Sequence, residues 1–177
     1  MKRQLGLYLL LIAAAAATRV LPHAWNFAPV TAVAIVAAIY LPIRQAIGLP
    51  LIIRFTSDLV IGFFAWPQML AVYSSHLFGI FAGLWVKKRK TTARVLAAPM
   101  ISALVFFLIT NFAFLYPVSA YSHNLSGILL SYTNGLPFLR GTLLGDVVYT
   151  SLLVGAVELV YFYRTRKIAK LAKSAIV

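Results

Sequence analysis

Polar residues interrupt this chain at long intervals, and the apolar runs between them are too long for alternating strands. Windows of about 17–25 apolar residues, the length needed to cross a bilayer as a helix, fall at Leu5–Leu21, Phe27–Leu41, Ala46–Phe64, Gln68–Val86, Val95–Tyr116 and Thr142–Tyr163. The second window is short and needs tilt or local thinning of the bilayer to fit. Prolines punctuate the connections at Pro22–Asn26 and Phe64–Pro67, as expected between helices. The longest connection, Pro117–Gly141, mixes Gly, Pro, Asn and Ser with apolar groups and has room for a short surface or re-entrant helix. The pattern therefore predicts an all-α, polytopic membrane protein of six transmembrane helices, one domain spanning 1–177, with a basic tail over 164–177.

Composition agrees. The 177 residues are 62% hydrophobic and 11% charged, whereas soluble domains carry roughly 45–50% apolar and about 25% charged residues. Lipid offers backbone groups no hydrogen-bonding partners, so spans must be helices or closed barrels. The alternating ten-residue segments of a barrel are absent. There is no cysteine, hence no disulfide framework or thiol chemistry.

The net charge of +13 raises the possibility of nucleic acid, and placement answers it. With the N-terminus in the cytoplasm, Lys2, Arg3, Arg44, Lys87, Lys88, Arg89, Lys90, Arg94, Arg164, Arg166, Lys167, Lys170 and Lys173 all fall on that side, leaving Arg19, Arg54 and Arg140. That is the positive-inside pattern, and it predicts both termini in the cytoplasm. "KKRK" and "RTRKIAKLAK" are then topology determinants near anionic headgroups, with membrane lipid rather than nucleic acid as their partner. The basic start and alanine-rich end of "MKRQLGLYLLLIAAAAATRV" also fit a signal peptide. If the segment is retained, Ala13 and Ala17 form a smooth surface for a neighbouring helix. Gly79 and Gly83 in "GIFAG" follow the same small-xxx-small logic, most simply as helix packing.

Only three acids occur, Asp58, Asp146 and Glu158. A charge at the centre of a span costs about 2.5–3.5 kcal/mol on insertion scales, so such residues normally face a bundle interior or an aqueous cavity. Arg54 and Asp58 share a helix face at i,i+4, with Ser57 beside them. Asp146 and Tyr149 lie at a similar depth on the sixth span, with Thr142 and Thr150. "YSSH" brings Tyr73 and His76 there, and the fifth span brings Thr110 and Asn111. Arg19 and Arg140 border the same level. This convergence predicts an outward-facing binding pocket using Arg54, Asp58, His76, Asn111, Arg140, Asp146 and Tyr149. Trp25, Phe27, Tyr73 and Tyr132 are available as aromatic walls. The competing reading pairs Arg54 with Asp58, and Arg140 with Asp146, as a purely structural network. Glu158 points about 120° away from Asp146, toward the cytoplasmic half, with Arg164 or Lys87 as candidate partners. Pro50 and Pro99 fall inside helices, as bends.

Enzyme and metal signals are poor. His76, Asp58 and Asp146 are the one candidate metal set at a common depth, and no compact ligand spacing supports them. No phosphate-binding glycine loop, cofactor motif or catalytic triad is present.

"LPHAWNFAPVTAVAIVAAIYLP", "FTSDLVIGF", "TNFAF" and "GLPFLRGTLLGDVVYT" resemble a family of small uncharacterised bacterial membrane proteins. Its layout in turn resembles the substrate-binding S components of energy-coupling-factor (ECF) transporters. The resemblance implies a six-helix bundle in the cytoplasmic membrane and a small-molecule pocket near the exterior. It also implies contact of Ala13 and Ala17 with a coupling transmembrane subunit served by separate ATPases. Metal-importing relatives carry histidine directly after the first methionine. Lys2 stands there in this chain, so no metal is implied.

Overall fold

The computed structural model describes residues 15–20 and 26–174, with side chains through 166. Six helices account for most of them: α1 (residues 15–20), α2 (Val30–Tyr40), α3 (Ile43–Ile61), α4 (Trp66–Lys88), α5 (Thr92–Thr110) and α6 (Leu125–Ser174), with a 3₁₀ turn at Ala113–Leu115. No strand occurs among the described residues. Three helices are long and apolar enough to cross a membrane: Trp66–Lys88, Thr92–Thr110 and, within α6, Leu125–Arg166. They mark the chain as a membrane protein.

The other expected spans differ. The first window lies largely outside the described residues; its described part, 15–20, is helical. α2 is an apolar helix of only 11 residues, about 16 Å at 1.5 Å per residue. Pro29 precedes it, and Leu41–Pro42 forces extended backbone where it ends. α3 is 19 residues long but carries Arg44, Gln45, Arg54 and Asp58, and it is not among the helices apolar enough to span.

The largest correction concerns Pro117–Gly141. Turns occupy 118–120, and from Leu125 the chain runs as one 50-residue helix through Pro137. At about 75 Å, α6 exceeds a ~30 Å hydrocarbon layer more than twofold. It therefore extends beyond any single crossing, and the expected tail from residue 164 is helical through Ser174. Its start is set by Asn124, whose Oδ1 accepts from the Gly127 N–H at 3.0 Å and from the Ser122 and Ser126 hydroxyls, an N-cap arrangement.

α2 is the hub. It is packed on by α3, α4, α5 and α6, and eight of its 11 residues are buried. Its alanines allow that close surround. Gly79 and Gly83 of α4 meet it directly: a Cβ at Gly83 would stand 2.3 Å from the Ile35 carbonyl oxygen, and one at Gly79 would stand 3.2 Å from Thr31. The core is built from small residues such as Ala32, Ala34, Ala98 and Ala103, while Phe55, Trp66, Phe81, Leu104, Leu108 and Leu152 face outward. Large apolar groups outside and small or polar groups inside suit a lipid surround.

Candidate functional site

Two polar centres lie side by side at one end of the bundle. The first is built around Asp58, in the last turn of α3 before Gly62 (φ 103°) ends the helix. Asp58 is 1% exposed, and three donors satisfy it: Arg54 Nε at 2.8 Å, Arg19 Nη1 at 3.0 Å and the Tyr73 hydroxyl at 2.8 Å. Arg19 also donates to Ser57 Oγ, and the Arg54 guanidinium sits over the Phe64 and Tyr73 rings. The expected Arg54–Asp58 pair is present, but as part of a larger network that α1 and α4 complete.

The second centre is Asp146, 2% exposed on α6. The Thr31 hydroxyl hydrogen-bonds its carboxyl, and Thr31 Oγ1 also lies 3.0 Å from His76 Nδ1. A threonine has one hydroxyl proton. When it is donated to the ionised carboxylate, the same oxygen accepts from His76 Nδ1–H, leaving Nε2 with a lone pair. His76 and Asp146 are both buried, and His76 Nε2 and Asp146 Oδ2 have no partner among the described residues. Buried polar atoms are nearly always hydrogen-bonded, so two such atoms at one place call for an explanation.

Both residues line a partly open cavity of about 150 Å³. Arg19, Asn26, Thr31, Arg54, Phe106 and Thr142 complete most of its wall, so every helix from α1 to α6 contributes. Local sequence explains the fit. Asn26 adopts φ 57°, a left-handed conformation that asparagine tolerates. Gly145 lets the following turn lie against α6, where a Cβ would stand 3.2 Å from Phe27 Cα. Phe106 packs on the His76 ring at 5.1 Å between centroids.

Of the residues expected to bind, Arg54, His76 and Asp146 line this cavity, and Asp58 lies behind the two arginines. Arg140 is exposed and forms no ion pair with Asp146. Asn111 ends α5, donating to the Phe107 carbonyl at 2.9 Å, with its side chain accommodated by Gly135 of α6. Tyr149 packs against Phe27 with the rings tilted and their centroids 5.2 Å apart, beside the lining. Tyr132 donates to the Leu108 carbonyl, and Tyr73 is engaged with Asp58. Ala17 is exposed, while Ala13 and Trp25 lie outside the described residues. Sequence reasoning passed over Thr31, an isolated hydroxyl in an apolar helix, and left Arg19 at the margin.

A separate cluster lies at the opposite end of α2. Glu158 is bridged by Lys90 and the Tyr40 hydroxyl, rather than by Arg164 or Lys87. No group of three or more metal-ligating side chains occurs among the described residues.

A membrane-embedded helical bundle with an internal polar cavity is thus the class this chain defines. It belongs to a family of unknown function, DUF6580, whose model matches residues 1–171. No curated protein and no solved structure matches it.

Proposed function

We propose that this protein is the solute-capturing membrane subunit of an energy-coupled importer, organised like the ECF S components its layout resembles. The observation that carries the reading is the cavity itself, where buried His76 and Asp146 each keep an unpartnered polar atom beside two arginines. An unsatisfied buried group costs about 1–3 kcal/mol, and two of them on the wall of one cavity are what a bound solute would complete. Intramembrane ionisable groups that face a cavity commonly mark a solute or ion pathway.

In this reading the chain is a multi-pass protein of the cytoplasmic membrane with both termini inside. All six helical segments belong to the membrane domain, and the cavity opens outward. Arg54, His76 and Asp146 orient the solute, and Asp58 holds the arginines in place. A coupling transmembrane subunit docks on the small-residue surface that includes Ala17, and separate ATPases supply the energy. The protein itself is not an enzyme and needs no cofactor.

Affinity purification from native membranes tests this. Retention of a coupling subunit with ATPases, together with a small molecule detected by native mass spectrometry, supports import. A chain isolated alone and empty, whose deletion leaves solute uptake unchanged, overturns it. The second reading, a structural or assembly protein, is favoured by Asp58, whose three donors leave it no need of a ligand. Under that reading Asp146→Asn impairs folding without touching any binding.

A further inference from the structure

The cavity has two electrically different walls. On one, Arg19 and Arg54 bring two positive charges against the single carboxylate of Asp58, leaving that wall net positive by one. On the other, Asp146 has no cationic partner among the described residues, and its free oxygen accompanies the unpartnered His76 Nε2. Both free atoms are acceptors when Thr31 donates to the ionised Asp146.

A simple anion would satisfy the arginine wall and leave the free oxygen of Asp146 unanswered. A simple cation would suit Asp146 and face two guanidinium groups. Only a solute carrying both charges meets both walls, and it would leave the buried site neutral, as a low-dielectric setting requires. Volume limits its size: a cavity of about 150 Å³ is on the scale of one that holds a single benzene-sized molecule.

Resting on the capture reading above, we infer that the cavity binds a small zwitterion, its ammonium toward the Asp146 and His76 wall and its carboxylate toward the guanidinium groups of Arg54 and Arg19. Thr31 is a positioning residue, since its hydroxyl orients both acceptors.

The test uses the full chain in lipid nanodiscs, titrated calorimetrically with glycine, 3-aminopropanoate and 4-aminobutyrate. The length-matched monoanions (acetate, propanoate, butyrate) and monocations (methylamine, propylamine, butylamine) are titrated beside them. At least one zwitterion is expected to bind tenfold or more tightly than both of its singly charged counterparts. Asp146→Asn should remove most of that advantage, and Thr31→Val should reduce it. The ligand comparison on the unaltered chain needs no variant, so a misfolded mutant does not spoil the test. Equal binding of a monoanion or a monocation overturns the zwitterion assignment while leaving solute capture intact. Silence across the whole series also overturns it. Solute capture falls separately, on the purification and uptake experiment.

Discussion

Arg19 and Asp58, 39 positions apart, meet at 3.0 Å in a site that is almost closed to solvent. The contact ties α1 to α3, and Arg54 and Tyr73 complete it. Removing one member of a buried ion pair typically costs about 3–5 kcal/mol, because the other charge is left uncompensated. Asp58→Asn would strand two guanidinium groups, so it should lower stability by that order and reduce the yield of folded protein. Thermal unfolding of the purified variant checks this. A carboxylate that served only a ligand would tolerate the change. The three donors around the carboxylate are the reason to expect otherwise.

Asp146→Asn should behave in the opposite way. Its carboxyl has one hydroxyl donor, an unpartnered oxygen and no cationic partner among the described residues, so a neutral amide of the same shape breaks no buried ion pair. The ligand-free melting temperature is expected to stay level or rise, while affinity for the natural solute falls at least tenfold, about 1.4 kcal/mol. Melting curves with and without ligand separate the two effects. A large loss of ligand-free stability would place Asp146 in the structural network instead.

Gly83 and Gly79 set how closely α4 approaches α2. A Cβ at Gly83 would sit 2.3 Å from a backbone oxygen and 2.7 Å from Ala38 Cβ, whereas at Gly79 the nearest atoms stand at 3.2 Å. Gly83→Ala should therefore cost about 1–3 kcal/mol through overpacking, and Gly79→Ala less. At Gly155 a Cβ meets nothing within 4 Å, so Gly155→Ala should be neutral or stabilising by up to about 1 kcal/mol. The order of the three melting temperatures is the measurement.

Much of the site was legible because charges in an apolar helix are conspicuous. Arg54 and Asp58 read as a pair from spacing alone, and depth counting brought His76 and Asp146 to the same level. What escaped depended on helix rotation. α2 is apolar on every face, so its sequence carries no stripe to show which way Thr31 points. Two of the three partners of Asp58, Arg19 and Tyr73, come from other helices, and no periodicity encodes those meetings. Six membrane crossings were inferred from apolar windows, yet Pro42 and the charges of α3 shorten or dilute two of them. In "SHNLSG" the asparagine that starts α6 is visible, but the mix of Gly, Pro, Asn and Ser with apolar groups over Pro117–Gly141 read as a connection with room for only a short helix.

Lys90 and Glu158 offer a contrast to the buried network. Both side chains are more than 40% exposed, and exposed pairs contribute about 0–1 kcal/mol. Glu158→Gln should thus change melting by little at physiological salt, with any effect fading as salt is raised. A loss comparable to that of Asp58→Asn would mean that the Tyr40 hydroxyl contact, rather than the ion pair, fixes this end of α6 to α2.

The start of α6 offers a local test of the long helix. Asn124 Oδ1 accepts from the Gly127 N–H and from two serine hydroxyls, and a Cβ at Gly127 would stand 1.8 Å from the Ser122 carbonyl oxygen. The chain can therefore enter the helix along this path only with glycine at 127, and a capping side chain at 124 favours that entry. Asn124→Ala should cost about 1 kcal/mol, felt mainly in the first turns. Amide hydrogen exchange should quicken from Leu125 to about Ser131, where the Ser131 hydroxyl reaches the Asn111 carbonyl and anchors α6 to the end of α5. Protection around Asp146 should be unchanged, because Thr31 and the helices packed there hold that stretch independently of the cap. Loss of protection along the whole helix would mean that α6 forms as one cooperative unit from its first turn, and that the cavity depends on a cap some twenty residues away.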